Sequence, residues 1–211
     1  MRVSNDRYSR DLRSIDLARR MLEHEARTQT IRAWTGLTGE RVRNLARSHG
    51  SKASPAARRL RGPSPSCLPA LLSTARARQE AAAAAGLCRV LQVFPEKADP
   101  NARVALPGLV RGERLLAAFE IFREVIPQAR LTLEQLVFLV LALAEGKSCR
   151  IDHCTRCHGT ILIDRLGAPR VLCGFCGSEE ESQVVAPSLP YPKLPTELEP
   201  EAPCLQQRLF D

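Results

Sequence analysis

The chain of 211 residues is long enough for one sizeable domain with small appendages, and its formal net charge is +8. Apolar residues make up 44% of it but aromatic residues only 4%, a mixture that suits helices packed through Leu, Val and Ala. The longest apolar run, Leu136 to Ala144, is too short to cross a bilayer and residues 1–7 carry no signal-peptide core, which predicts a cytoplasmic protein.

The charge is unevenly distributed along the chain. Residues 1–62 hold fifteen Lys and Arg against six Asp and Glu, whereas residues 177–211 hold two against seven. A basic region of this kind suggests a polyanionic partner, although a solubilising surface is an alternative that charge alone leaves open. The acidic tail, 179–211, also contains six prolines, and we expect it to be disordered because it cannot bury enough apolar surface.

The basic region, 1–62, is predicted to begin with a helix from Asp11 to about Ala33. Residues at helical spacing make one apolar face of it, namely Leu12, Ile15, Ala18, Leu22 and Ala26. A short helix then ends at Gly36, a residue typical of helix C-termini. Leu37 is expected to lie between two helices, and Thr38 to cap the helix that follows.

The helix after Thr38 is predicted to point its apolar residues inward, namely Val42, Leu45 and Ala46. Its outward residues suit the edges of guanine and adenine in the major groove, and they are Arg41, Arg43, Asn44 and Arg47. The pattern predicts a helix-turn-helix-like region that binds DNA, although many helical hairpins share this outline. Phosphate contacts are assigned to Arg27, Arg32, Arg58 and Arg59.

Residues 63–148 are predicted to form a helical core and partner-binding region. Its first residues belong to a Pro- and Gly-rich break, His49 to Pro69, which is either a linker or a loop that grips phosphates. Helices are expected from Ala70 to Phe94, from Glu113 to Ile126, and from a capping box at Thr132 to about Glu145. The last of these is apolar on nearly all sides, which places it in the core or at a subunit contact.

Two Cys-x-x-Cys pairs define the segment 149–178, and their members are Cys154, Cys157, Cys173 and Cys176. Residues 161–163, 164–167 and 171–172 are predicted as strand, turn and strand, a hairpin that returns the second pair to the first. Four thiolates in a tetrahedron suit one structural Zn²⁺ per chain in a zinc-ribbon-like module. Such a site has no open coordination position, which argues against a zinc enzyme.

Other interpretations of the cysteines are weaker. Disulfides would need an oxidising compartment, and a redox Cys-x-x-Cys normally occurs once, in a βαβ unit. His153 and His158 break the symmetry of the first pair, so we expect them outside the ligand set, and Cys149 is a less favoured ligand. No convergent set of catalytic residues stands out, which predicts that the protein is not an enzyme.

The order of these parts is similar to that of a known family. A basic helix-turn-helix, a Gly-Ser-Pro-rich connection at residues 61–69, a helical middle and a late four-cysteine site together resemble the bacterial flagellar transcriptional activator FlhC family. The match covers about residues 10–178 and is most specific at the four cysteines. It implies a zinc-binding subunit that joins an FlhD-type subunit in a hetero-oligomer and activates flagellar operons on promoter DNA with RNA polymerase. The Ala-rich middle and the tail depart from the family pattern.

The leading hypothesis is a mainly α-helical transcriptional activator that binds double-stranded DNA through residues 1–62 and carries a small C-terminal zinc module. The alternative is a zinc-ribbon adaptor whose basic region binds RNA or a protein.

Overall fold

The computed structural model describes residues 5–50, 65–167 and 171–181, and within these ranges the chain is mainly helical with a small two-stranded sheet. The elements are, in chain order, α1 (Asn5–Glu23), α2 (Thr28–Thr35), α3 (Gly39–Gly50), α4 (Leu68–Leu71), α5 (Ala75–Val90), α6 (Ala102–Ala105), α7 (Leu109–Val125), α8 (Leu133–Glu145), β1 (Cys149–His153), β2 (Thr160–Asp164) and α9 (Gly174–Glu181). In these ranges, no helix is long and apolar enough to span a membrane. The tail from residue 182 and most of the Pro-rich break, with Arg58 and Arg59, lie outside the described residues.

The helix predicted from Asp11 to Ala33 is in fact two helices. Glu25 adopts a left-handed conformation with φ of 59°, which ends α1 because a helix cannot continue through it. The N–H of Ala26 donates to the carbonyl of Met21 at 2.9 Å, and the N–H of Glu25 donates to Leu22 at 3.1 Å. These two bonds close a helix C-terminus of the kind that usually carries glycine.

The predicted apolar face of α1 is partly correct, since Ala18 and Ala26 are buried and Leu22 packs against the core, but its centre is displaced. Leu12 is 49% exposed, whereas the residues that face the core are Ser14, Leu17, Ala18 and Met21. These four recur at the helical spacing i, i+3, i+4 and i+7. The face lies close to α7, since a Cβ added to Gly112 would be 2.8 Å from Cδ2 of Leu17.

The turn between α2 and α3 has the predicted features. Gly36 is left-handed with φ of 72°, and its N–H donates to the carbonyl of Arg32 at 3.0 Å. Leu37 is buried, and the hydroxyl of Thr38 accepts a hydrogen bond from the N–H of Arg41 at 3.4 Å. Helices α1, α2 and α3 all contact one another, and α1 and α2 also contact α7.

Helix α8 lies in the core, where it contacts α5, α6, α7 and β1. The predicted capping box is present, with Thr132 and Gln135 bonded reciprocally, and Gly146 ends the helix in a left-handed conformation. The apolar residues from Leu136 to Leu143 are largely buried by the chain itself. Of the two interpretations of this helix, the structure therefore supports the core.

The acidic side chain of Glu134 connects α8 to the start of α2. It is 4% exposed, and its Oε1 accepts the backbone N–H of Arg27 at 2.8 Å while its Oε2 accepts the hydroxyl of Thr30 at 3.0 Å. The first turn of α2 has no acidic residue of its own. Glu134 therefore supplies the negative charge that favours a helix N-terminus from another part of the chain.

A second buried carboxylate, Glu80, holds the loop before α8 against α5. Its Oε2 accepts the N–H groups of Arg130 and Leu131 at 2.8 and 3.1 Å, and its Oε1 accepts Nε of Arg76 at 2.8 Å. Burial alone would raise the pKa of Glu80, but the hydrogen bonds from Arg76 and from these two backbone groups outweigh it and lower the pKa. The ionised form is thus favoured by folding.

We expect Glu80→Gln to reduce the free energy of unfolding at pH 7 by about 1.5–3 kcal/mol, because it weakens hydrogen bonds to a charged group. Since the pKa of Glu80 is lowered on folding, this contribution is present above the ordinary value of 4.5 and is lost as the pH falls through the lowered pKa. Urea unfolding at pH 7 and in acid measures both effects. The matched control is Glu124→Gln, an exposed carboxylate on α7, which should change little. The prediction would be contradicted if the free energies of unfolding of the Glu80→Gln variant and the unaltered protein differed by the same amount at pH 7 and at pH 3.

Candidate metal centre and nucleic-acid interface

The first cysteine pair lies in the turn of a β-hairpin. Strands β1 and β2 are antiparallel, with Cys149 opposite Asp164 and His153 opposite Thr160. The turn is closed by the N–H of Cys154, which donates to Gly159 at 2.8 Å, and by the N–H of His158, which donates to Cys154 at 2.9 Å.

The hairpin predicted between the two cysteine pairs is therefore wrong. Residues 161–163 do lie in a strand, but its partner is β1, upstream of the first pair, and Val171 and Leu172 are not in a strand. The reason is local, because the Cys-x-x-Cys segment itself supplies a tight turn and brings its two flanking strands together. Val171 approaches the module through its carbonyl, which accepts the N–H of Thr155 at 3.0 Å.

The second cysteine pair stands at the start of α9, which packs against α5. Cys173 precedes the helix, and Cys176 lies in its first turn. The contact with α5 is close at Gly174, where an added Cβ would be 2.6 Å from the carbonyl oxygen of Ala75. The second pair is thus fixed by the helical core, and the first by the hairpin.

The four sulfurs converge. All of them lie within 4.8 Å of one another, and the sulfurs of Cys157 and Cys173 are 3.7 Å apart. A tetrahedron with Zn–S bonds of about 2.3 Å has edges of about 3.8 Å, so this separation matches a shared metal ion. A disulfide requires about 2.05 Å. The donor set and its spacing therefore fit a tetrahedral metal site.

Backbone amides around the cluster favour negative sulfur. The N–H of Cys173 donates to the sulfur of Cys154 at 3.3 Å, and the N–H of Cys176 donates to the sulfur of Cys173 at the same distance. Hydrogen bonds from backbone N–H groups, that of Cys157 foremost, lower the pKa of Cys154 to about 6. The N–H of Cys176 likewise lowers the pKa of Cys173.

The fourth sulfur behaves differently. Burial, followed by the neighbouring sulfurs, raises the pKa of Cys176 to about 12. Negative charge is thus favoured at Cys154 and Cys173 and disfavoured at Cys176, and a cation among the four sulfurs would offset their mutual repulsion. The four cysteines could hold such an ion.

The other predicted participants lie outside the cluster. Cys149 is fully buried, and burial raises its pKa to about 12, so it remains a neutral thiol. His153 is exposed, and its Nδ1 is 3.2 Å from the carbonyl of His158. Neither histidine belongs to the group of four sulfurs.

We expect Gly174→Ala to lower the free energy of unfolding by about 1–3 kcal/mol, the usual cost of overpacking, because the new methyl group would meet a backbone oxygen of α5. Thermal or urea unfolding measures it. The control is Gly86→Ala, within α5, where an added Cβ meets nothing within 4 Å and should stabilise the helix by about 0.5–1 kcal/mol. If Gly174→Ala and Gly86→Ala changed the free energy of unfolding equally, the close contact between Gly174 and Ala75 would be contradicted.

The candidate base-reading residues are on the exposed side of α3. Exposed side chains are those of Arg41, Arg43, Asn44 and Arg47, while Val42 is fully buried and Leu45 and Ala46 are partly buried. The predicted division into inner and outer faces is therefore confirmed. Arg41 is 3.8 Å from the carboxylate of Asp11 on α1, and Arg47 donates to the side-chain oxygen of Asn44.

The predicted phosphate contacts have different surroundings. Arg32 is exposed on α2, close to the start of α3 at Gly39. Arg27 is partly buried, with its Nε 3.8 Å from Glu134, a placement that favours a contact within the fold. The sequence did not predict that carboxylates of α7 and α8 pair with arginines of residues 5–50. These carboxylates are Glu113, Glu120 and Glu134.

No protein-family model matches the chain, and a search of curated proteins finds no match.

Proposed function

We propose that this protein is a DNA-binding transcriptional activator in which α3, the second helix of a helix-turn-helix, enters the major groove. The observation that carries the proposal is the polar face of α3, where three arginines and an asparagine are exposed above a buried Val42. Guanidinium groups bind guanine edges, and carboxamides bind adenine edges. The short turn at residues 36–38 and the mutual packing of α1, α2 and α3 suit a helix-turn-helix.

The four-cysteine cluster, in this proposal, holds one structural Zn²⁺. Thiolates favour Zn²⁺ among the common divalent ions, and four protein ligands leave it no position for a substrate. The ion would join the β1–β2 turn to the start of α9. Its role would be to maintain the C-terminal module against α5.

The flagellar assignment and the partner come from the resemblance to FlhC. We propose that an FlhD-type subunit covers apolar residues that the helical middle leaves exposed, with RNA polymerase as a further partner at the promoter. Helix α7 offers Ile121 and Val125, which are one turn apart and 40% and 73% exposed. Helix α8 is not the contact in this proposal, since its apolar residues are already buried.

Selection from a random duplex library tests the function. The full chain, alone and mixed with an FlhD-type subunit, is expected to enrich one sequence motif, which should then outcompete random duplex and single strands at a fixed salt concentration. Enrichment without a motif, or preference for RNA over duplex DNA, would favour the adaptor hypothesis instead.

A further inference from the structure

Two grooves lined by arginine meet at the start of α7. One, with a volume of about 580 Å³, lies between the end of α5 and the start of α7 and contains Arg89, Arg111 and Arg114. The other, of about 490 Å³, lies between α1 and the same end of α7 and contains Arg10 together with Arg111. Arg111 belongs to both, so the grooves form one continuous surface, which we name the α7 arginine surface.

The charge of this surface is not cancelled locally. Arg111 donates to the carbonyl of Ala105 at 3.1 Å, and Arg114 donates to the carbonyl of Gln92 at 3.4 Å. A carbonyl fixes a guanidinium group without neutralising it. Within the described part of the chain, no carboxylate lies within 4 Å of the guanidinium groups of Arg10, Arg89, Arg111 or Arg114, and the carboxylate that lines the grooves is Glu96.

Apart from Glu96, the carboxylates next to these grooves are engaged elsewhere. On α7, Glu113 pairs with Arg13 and Glu120 pairs with Arg20, which joins that helix to α1. In α5 and α8, Glu80 pairs with Arg76 and Glu145 pairs with Arg103. Glu134 accepts the backbone N–H of Arg27 and lies 3.8 Å from the guanidinium group of the same residue. Internal ion pairs thus leave the arginines at this end of the helices as a net positive surface.

The α7 arginine surface continues toward α3. Arg41 on α3 is 3.8 Å from Asp11, and the preceding residue, Arg10, lines the groove that contains Arg111. The first turns of α1 therefore connect the α7 arginine surface to the candidate base-reading helix, with the carboxylate of Asp11 between Arg10 and Arg41 along this connection. Duplex DNA carries one phosphate per 3.4 Å of each strand, so a duplex seated on α3 presents phosphates beyond that helix.

We infer that the α7 arginine surface binds the phosphate backbone of DNA that flanks the segment read by α3. The inference rests on the proposed function and extends it with a second, sequence-independent contact. Arginine at a phosphate contributes to affinity and to salt dependence without reading the bases. The occupant is double-stranded DNA beyond the recognised site.

The test measures the salt dependence of binding of the full chain to duplexes of about 40 and about 14 base pairs, each carrying the selected motif at its centre. The variant is Arg89→Gln, Arg111→Gln and Arg114→Gln together. On the long duplex, its slope of log K against log salt should fall by about 2–3 units, with a tenfold or larger loss of affinity. On the short duplex the loss should largely disappear.

The matched control removes three other arginines, by Arg123→Gln, Arg130→Gln and Arg165→Gln. Two of them also donate to backbone carbonyls, at Ala129 and Gly146, so the change in charge and in hydrogen bonding is comparable. The control should change the slope by less than about one unit. The variant Arg89→Lys, Arg111→Lys and Arg114→Lys should keep the slope of the unaltered protein, because a phosphate contact requires the positive charge.

Equal slopes for variant and control on the long duplex would overturn the inference, as would failure of the Lys variant to keep the slope. The proposed function is tested separately in the same assay by the α3 variant Arg41→Ala, Arg43→Ala and Arg47→Ala. If that variant alone loses affinity, the α7 arginine surface is excluded and the function stands. If only the α7 variant loses affinity, the assignment of α3 fails.

Discussion

Cys154→Ala is expected to abolish metal binding and to make the C-terminal module, residues 149–181, sensitive to protease. Its sulfur is buried, and it accepts the N–H of Cys173, so it joins the hairpin to the second pair. Structural zinc contributes apparent folding free energies of about 10–16 kcal/mol in small sites. Elemental analysis and limited proteolysis measure the two losses. The effect should be the largest of any single substitution considered for this protein.

Cys149→Ala is the matched control, because it removes a buried thiol from the same hairpin but outside the four-sulfur cluster. It should retain one zinc ion per chain and resist protease like the unaltered protein. Zinc-free protein purified without chelator would refute the zinc assignment, and so would a Cys154→Ala variant that keeps its metal.

The variant Arg41→Ala, Arg43→Ala and Arg47→Ala is expected to lose most sequence-specific DNA binding. Each lost base contact should cost roughly 1–3 kcal/mol and relax the preference at one base pair, so the three together correspond to at least a hundredfold loss of affinity. Folding should be preserved because all three side chains are exposed. The measurement is binding to the selected duplex and to single-base variants of it, in the presence of the partner subunit.

Its charge-matched control, Arg123→Ala, Arg130→Ala and Arg165→Ala, should keep the preference for every base pair. If the α3 variant retains full affinity and selectivity, the residues are ordinary solvated arginines. The DNA contact would then be sought in the Pro-rich basic segment or in the cysteine module.

Features set by neighbouring residues were predictable from the sequence. The capping box at Thr132 and the end of α8 at Glu145 need only a few adjacent residues, and both were predicted. The division of α3 into buried and exposed sides follows from helical spacing in the same way. The end of α1 was missed because Glu25, not glycine, takes the left-handed conformation there.

Features that depend on distant segments were not predictable. The carboxylate of Glu134 bonds to a residue 107 positions away, and Glu80 bonds to a loop 50 positions away. Either residue alone looks like an ordinary helix-surface glutamate. The cysteine set was evident from its spacing, but the strand that pairs with residues 160–164 depends on which turn closes, and two candidate turns were present.

The carboxylate of Glu134 has a consequence for how the molecule opens. Its hydrogen bonds to Arg27 and Thr30 are buried, so separating α2 from α8 would break both of them at once. Such a cost resists local fraying of α2 and ties it to the most buried helix of the fold. Backbone amides of α2 and α8 should therefore exchange their hydrogens with solvent through one shared opening event, although α2 is short and close to the N-terminus.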